Sequence, residues 1–355
     1  MNRFIIQLLI IIVVLMAACS NSRIGDQDSW LTPPIDRQSI FEGEGEDDIP
    51  AIDQPQFTIA SQVDFLADTS IVLGIHHNGI VRAYPLDILH WHEVVNDMIG
   101  ETPIAITYSA LSGSGVAFER VSNNGVVFEL GVTGLLFNAN LILFDRLSET
   151  NWLQIQGRGV KGLRIGQQLK EFSLIEMKWA TWKLLFPNSE VLNVKTGFNR
   201  PYQAYPYGDY RTDTFSLFFP LTIPIEDLDR PISYKDKALG VVVAADTLVF
   251  PLTVFPEEGL EIVEQEIGGE PILVVGSQEH QVMAAYNATR ADGSIATFQV
   301  ENDLFLRDDR GTSYNLLGQS IDGASNEFLM PVNAKTAFWF NWAVWSHPNL
   351  VKRYE

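Results

Sequence analysis

One pattern occurs twice in this chain, as VLGIHHNGIVRAYPL at residues 72–86 and as ALGVVVAADTLVFPL at residues 238–252. In the first copy, two apolar runs flank Asn78-Gly79. This dipeptide is a strong signal for a type I′ hairpin turn, because both turn positions need a positive φ. The pattern therefore predicts that each half of the chain begins its folded core with a pair of strands.

Further blocks of similarity follow in the same order in both halves. They match residues 99–104 with 267–272, 144–146 with 308–310, 157–162 with 318–323, and 182–187 with 342–348. Chance similarity is the alternative, but several ordered blocks favour an internal duplication. The sequence thus predicts a β-rich α+β fold with two similar tandem lobes and few helices.

The remaining elements are expected from periodicity and turn signals. The pattern predicts strands over residues 104–108, 116–120, 126–130 and 141–144, and helices over residues 87–98, 177–186 and 334–345. On the first of these helices, Ile88, Trp91, Val95 and Met98 would form one apolar stripe.

The N-terminus has the layout of an export signal. Arg3 precedes an apolar run, and small residues lead to Cys19, the only cysteine of the chain. This layout resembles a bacterial lipoprotein signal, in which residues 1–18 are removed and the cysteine carries lipid, palmitate included. The alternatives are a plain signal peptide or a transmembrane anchor, but an apolar run of about a dozen residues is short of the roughly 20 that span a bilayer.

The resemblance implies a location in the bacterial cell envelope. The protein would be held by lipid on the exported side of a membrane, which is the outer membrane in a Gram-negative cell. Residues 19–47 would be the lipidated Cys19 followed by an acidic flexible tether, with an ordered arm near Trp30 and Phe41 as the alternative. The first repeat would span residues 48–212, and a second, degenerate repeat would span residues 213–355.

Composition narrows the classes of partner. The formal charge is −20, from 44 acidic and 24 basic side chains. Such a surface repels phosphate backbones, so nucleic acid is not an expected partner. The membrane is expected as a partner only through the N-terminal lipid. Since Cys19 would be modified, the mature chain would have no free thiol, and no cofactor is predicted.

Polar features that only the first half has are candidates for function. His92 and Glu93 lie in a His-Trp-His-Glu segment that the second half does not repeat. A histidine beside a carboxylate can act as a metal ligand or a general base. The alternative is a histidine hydrogen-bonded to a loop, with Glu93 and Asp97 in solvent.

Two other segments contribute candidates. Ser109, Ser112 and Ser114 follow a predicted strand, where a serine can be a nucleophile or can cap a tight turn. The candidate polar cleft, to which Gln154 is a further possible contributor, consists of His92, Glu93, Asn96, Asp97, Tyr108, Ser109, Ser112, Asn138, Asn140, Asp145 and Arg146. The alternative is that these polar residues cap loops and form an ion pair.

These segments resemble the uncharacterised family catalogued as domain of unknown function 3179. Its patterns R-A-Y-P, H-E-[IV]-V-N-D, Y-C-P-L-C-G-S and Y-D-R correspond to residues 82–85, 92–97, 108–114 and 144–146, and the resemblance covers roughly residues 48–210. It implies a site without a known reaction. Ser109 and Ser112 stand where the family has cysteines, and serine hydroxyls neither bind soft metals well nor cycle redox state.

Two hypotheses follow. The first is a non-catalytic, lipid-anchored binding or scaffold protein of the envelope, with an envelope protein or a small molecule as ligand. The second is a hydrolase or metal-dependent enzyme that uses His92 and Glu93, with His92 as the candidate metal ligand. Soft-metal or redox carriage is disfavoured by the missing thiols.

Overall fold

The computed structural model describes residues 29–31, 35, 37–213, 217, 221–222, 233–321, 327–345 and 351–354. The export signal and Cys19 lie outside these residues, so the lipoprotein prediction stays a prediction. None of the helices in the described parts of the chain is long and apolar enough to cross a membrane.

The first half is built mainly from strands. They are β1 (Ile40–Glu42), β2 (Phe57–Ile59), β3 (Ile71–His77), β4 (Ile80–Pro85), β5 (Val94–Ile99), β6 (Thr102–Ser109), β7 (Ser114–Glu119), β8 (Leu130–Phe137), β9 (Asn140–Asp145), β10 (Asn151–Leu153), β11 (Arg158–Lys161), β12 (Glu171–Phe172), β13 (Ile175–Lys178) and β14 (Glu190–Leu192). Helix α1 (Leu86–His92) follows β4, and α2 (Trp179–Leu185) follows β13.

The second half has the same character. Its strands are β15 (Lys237–Val243), β16 (Asp246–Pro251), β17 (Glu261–Ile267), β18 (Glu270–Ser277), β19 (Val282–Asn287), β20 (Phe298–Glu301), β21 (Phe305–Asp308), β22 (Ser313–Tyr314), β23 (Asn333–Phe338) and β24 (Val351–Arg353). Helix α3 (Trp339–Trp345) follows β23. The expected β-rich α+β fold is confirmed.

The described strands of each half form three sheets. In the first half the strand orders are β13-β3-β4-β14-β2, β12-β7-β6-β5 and β1-β8-β9-β10-β11. In the second half they are β23-β15-β16-β24, β17-β18-β19 and β20-β21-β22. In both halves the strand before the helix pairs antiparallel with the first strand of the opening hairpin. The strand after the helix pairs parallel with the second strand of that hairpin. Descent from an internal duplication stays a prediction.

The repeated glycine of the opening pattern has a packing role. In α2, Trp182 lies directly on Gly74, and an added Cβ there would stand 1.9 Å from the Trp182 ring. In α3, Trp342 lies on Gly240 in the same manner, at 2.4 Å from an added Cβ. The indole ring therefore takes the space that a side chain at this strand position would need.

The two halves contact each other reciprocally. The N–H of Phe338 donates to the carbonyl of Ser112, and the N–H of Lys178 donates to the carbonyl of His280, both at 2.9 Å. Ser112 lies in the turn between β6 and β7, and His280 lies in the turn between β18 and β19. The donors end strands of the opposite half, β23 for Phe338 and β13 for Lys178. The reciprocal pattern resembles the isologous contact of a two-fold dimer. One core cluster accordingly combines Trp182 of α2 with Tyr286 of β19.

The predicted helix over residues 87–98 is wrong in its second part. Helix α1 ends at His92, Glu93 is left-handed with φ of 56°, and Val94–Ile99 is strand β5. The β-branched pair Val94-Val95 favours a strand, and β5 pairs along its whole length with β6. The expected apolar stripe of Ile88, Trp91, Val95 and Met98 therefore does not form.

Other boundaries also differ. The predicted helices at residues 177–186 and 334–345 begin only at Trp179 and Trp339, because the residues before them pair with the opening hairpin of each half. The strand predicted over residues 126–130 instead begins at Leu130 as β8. The tether prediction is wrong for Ile40–Glu42, which pairs with β8 as strand β1.

Candidate functional site

Asp97 joins two of the sequence motifs. Its Oδ2 accepts hydrogen bonds from Tyr84 Oη at 2.5 Å and from Arg82 Nη1 at 2.8 Å. Arg82 also reaches Glu190 at 2.6 Å. Asp97 is buried, whereas one interpretation of its motif placed it in solvent. This cluster braces the hairpin β3–β4 against β5.

Asn96 of β5 and Arg146, which follows β9, both contact Asp53. Asn96 Nδ2 donates to Asp53 Oδ1 at 2.7 Å, and Arg146 contacts Asp53 at 3.2 Å and Asp47 at 2.9 Å. These residues border a surface cavity of about 630 Å³, which Arg120 and Glu129 also line. Of the predicted residues, Asn96, Asp97 and Arg146 line this cavity.

The serine segment forms a buried network rather than a cleft. Asn140 Nδ2 donates to Ser112 Oγ at 2.9 Å and to Gln154 Oε1 at 3.0 Å. Ser114 Oγ lies 2.9 Å from Ser112 Oγ and donates to Gln154 Oε1 at 3.0 Å. All four side chains are completely buried. Ser109 Oγ separately accepts the N–H of Leu141 at 3.3 Å.

Two further polar candidates, Asp145 and Asn138, have structural partners. Asp145 accepts hydrogen bonds from Trp152 Nε1 at 3.0 Å and from Ser148 Oγ at 2.7 Å, and it is completely buried. Asn138 lies in the turn between β8 and β9 with φ of 52°, and its Oδ1 accepts the N–H of Thr222 at 2.8 Å. Neither side chain hydrogen-bonds to the serine network.

Both ring nitrogens of His92 are engaged. Nδ1 lies 2.8 Å from the carbonyl of Pro50, which can only accept, so Nδ1 carries the proton. Nε2 lies 2.8 Å from Tyr202 Oη. Burial lowers the pKa of His92, although the hydrogen bond to Pro50 opposes this shift. The neutral ring then accepts a hydrogen bond from the Tyr202 hydroxyl at Nε2.

Glu93 has the most perturbed carboxyl group of the predicted site. It ends α1 in the left-handed region, which is uncommon for a residue other than glycine and often marks a functional position. Its Oε1 accepts the Tyr207 hydroxyl at 2.7 Å. Burial raises the pKa of Glu93 to about 7, although the hydrogen bond from Tyr207 opposes the shift. Burial and the nearby Glu93 raise the pKa of Tyr207.

An aromatic segment that the sequence reasoning missed covers these groups. Tyr202 contacts His92, Tyr207 binds Glu93, and the Tyr205 ring lies 4.9 Å from the ring of His90. Tyr210 Oη donates to the carbonyl of Leu111 at 2.7 Å. The available signal was the dense spacing of tyrosines over residues 202–210. Aromatic rings therefore shield the C-terminal end of α1, where Glu93 follows His92.

The residues of the predicted polar cleft lie in different environments. Tyr108 is brought to Glu93 through the backbone, since the N–H of Tyr108 donates to the carbonyl of Glu93 at 2.8 Å. Asn96, Asp97 and Arg146 line the surface cavity, whereas Ser112 and Asn140 are buried together elsewhere. Within the described ranges, no cluster of three or more His, Cys, Asp or Glu residues is arranged to hold a metal ion.

The fold and this framework define a β-rich protein in which many of the motif residues make buried polar contacts. A family model described as "Protein of unknown function (DUF3179)" matches residues 46–349. The chain belongs to this family, as its motifs suggested. Comparisons with curated proteins and with solved structures gave no match.

The raised pKa of Glu93 predicts a specific pH dependence of stability. The folded state binds this proton more tightly than the unfolded state, whose carboxyl has its ordinary pKa of 4.5. The associated stability is therefore fully present below pH 4.5 and is lost as the pH rises through about 7. The loss is on the order of 3 kcal/mol at high pH.

Urea unfolding at pH 5 and pH 8 measures this effect. Glu93→Gln keeps an acceptor for Tyr207 and cannot ionise, so it should lose less stability than wild type between these two pH values. The half-exposed Glu129, changed to Gln, serves as the matched control and should follow wild type. An identical pH dependence in wild type and Glu93→Gln would contradict the assignment.

Proposed function

We propose that this chain is a lipid-anchored protein of the bacterial cell envelope that binds a small polar ligand without transforming it. The observation that supports a non-catalytic role is the engagement of the candidate reactive groups. Both nitrogens of His92 and the hydroxyls of Ser109 and Ser112 have partners within the chain. A nucleophile or a base would first have to break these buried contacts.

The surface cavity beside Arg146 supports the binding part of the proposal. Its volume of about 630 Å³ lies in the range of small-molecule sites. Arg120 at its wall is buried, and its Nε has no hydrogen-bond partner in the part of the chain that the structure describes. Because this nitrogen is fully buried, a ligand in the cavity would instead meet the Arg146 guanidinium, whose side chain is 29% exposed and which favours an acceptor group on the ligand. Asp53, Asp97 and Glu129 favour donor groups on the same ligand.

The membrane attachment has a direct test. Wild-type protein in a bacterial host should incorporate labelled palmitate, whereas Cys19→Ala should not, because the thiol is the acceptor. Ser20→Ala is the matched control and should be labelled like wild type. Equal labelling of Cys19→Ala, or a mass spectrum with an unmodified N-terminus beyond residue 19, would contradict lipidation.

One observation favours the second hypothesis, an enzyme. Glu93 combines a left-handed backbone, deep burial and a pKa near that of an acid–base catalyst working at neutral pH. Turnover of ester, peptide or phosphate reporters by wild type, abolished in Glu93→Gln, would replace the binding proposal with a catalytic one. Absence of any turnover that depends on Glu93 is the result expected here.

A further inference from the structure

The second half contains a cavity of about 600 Å³ that none of the sequence motifs addresses. Its inner wall is apolar, with Ala288, Ala296, Phe298 and Leu329. Charged side chains surround it, among them Arg290, Arg310 and Glu327. The volume is within the range of small-molecule sites, and the mixture of an apolar wall with a few polar groups is typical of them.

The first half has the same backbone hydrogen bonds at the position equivalent to this cavity, but its side chains there are larger. The N–H of Arg120 donates to Pro103 and the N–H of Phe128 to Arg120, at 2.9 and 3.0 Å. In the second half, the N–H of Ala288 donates to Pro271 and the N–H of Ala296 to Ala288, at 2.9 and 2.8 Å. Ala288 thus corresponds to Arg120, and Ala296 corresponds to Phe128.

This correspondence explains the open space. In the first half, Phe128 packs in a core cluster with Leu130, Trp152 and Leu169. The counterpart Ala296 lacks the ring, so the wall formed by Phe298 and Leu329 faces a cavity. An apolar group of a ligand would cover this apolar wall and remove its surface from water, which is favourable.

The charges at the cavity select the kind of ligand. Arg290 pairs with Asp308 at 3.0 Å, and Arg310 pairs with Asp292 at 2.7 Å. Glu327 accepts the Tyr314 hydroxyl at 3.0 Å, and no described Lys, Arg or His forms an ion pair with it. The carboxylate that remains without a cation therefore stands beside the aromatic rings of Tyr314 and Phe328.

We propose that this cavity binds an amphipathic organic cation, with an aromatic or aliphatic body against Ala288 and Ala296 and an ammonium group at Glu327. A carboxylate and aromatic faces both attract an ammonium group, and the second contribution is the cation–π interaction. The site is separate from the cavity of the first half, so its occupancy does not depend on the function proposed there.

Calorimetric titration of the full-length protein with phenethylammonium and with neutral 2-phenylethanol tests the proposal. The two probes share the same body, and only one carries a charge. The cation should bind at least about tenfold more tightly than the alcohol. Glu327→Gln should reduce this preference while keeping the affinity for the alcohol, because the charge of the carboxylate is lost and the aromatic faces remain.

Two further variants make the test specific. Ala296→Phe places the first half's ring in the cavity and should abolish binding of both probes. Glu258→Gln neutralises an exposed acid of the second half that lines neither cavity, and it should leave both affinities unchanged. The proposal is overturned by equal affinity for the two probes, by an unchanged preference in Glu327→Gln, or by loss of binding in Glu258→Gln. Since Glu327 is exposed, its variant remains informative even where Ala296→Phe does not fold.

Discussion

Replacement of Asp97 by alanine should lower the free energy of unfolding by about 3–5 kcal/mol. The change removes one carboxylate from two partners at once, the Arg82 guanidinium and the Tyr84 hydroxyl. Tyr84 is completely buried, and the side chain of Arg82 is only 12% exposed. A buried charge and a buried hydroxyl would both lose an acceptor, and water could not replace it fully.

The second carboxylate on the same guanidinium gives the control. Glu190 contacts Arg82 Nε at 2.6 Å, but its side chain is 40% exposed. Glu190→Ala should cost about 0–1 kcal/mol, since solvent screens an exposed ion pair. Chemical denaturation of both variants measures the difference. Similar losses in the two variants would mean that burial does not govern the contribution of Asp97.

Gly74→Ala should lower the free energy of unfolding by at least about 3 kcal/mol, which is at or above the upper end of the range for overpacking substitutions. The new methyl group would stand 1.9 Å from the ring of Trp182, well inside van der Waals contact. Trp182 is completely buried, and its Nε1 donates to Ser189 Oγ at 2.9 Å, so the ring cannot shift freely. Relief would require movement of α2 away from the sheet.

A double-mutant cycle isolates this contact. Trp182→Phe removes part of the ring, so Gly74→Ala should cost clearly less in the Trp182→Phe background than in wild type. Gly240→Ala, which meets Trp342 in the second half, should reproduce the penalty. Additive effects of Gly74→Ala and Trp182→Phe would show that steric overlap with this ring is not the cause.

Much of the first site could be predicted by residue but not by arrangement. The motifs pointed to Asp97, Asn140 and Glu93, and each makes specific buried or shielded contacts. Their arrangement could not be predicted, because residues 87–98 were expected to form one helix. The left-handed Glu93 reverses the side-chain periodicity at that point and separates Asp97 from His92.

The sequence alone determined the features that depend on local patterns. The Asn78-Gly79 turn has the two positive φ angles that the residue types demand, and the alternating apolar runs form hairpins in both halves. The motif set also identified the family, because a family is recognised by residues in order along the chain.

Only the tertiary structure decided which groups meet across distance in sequence. Tyr207 reaches Glu93, and the tip of each half's hairpin binds the other half, through contacts between segments far apart in the chain. The empty space beside Ala296 likewise depends on the side chains that surround it and not on alanine itself. The burial of a side chain, its pKa and the volume of a cavity all depend on which segments surround them. A sequence pattern gives no distance between segments that lie far apart in the chain.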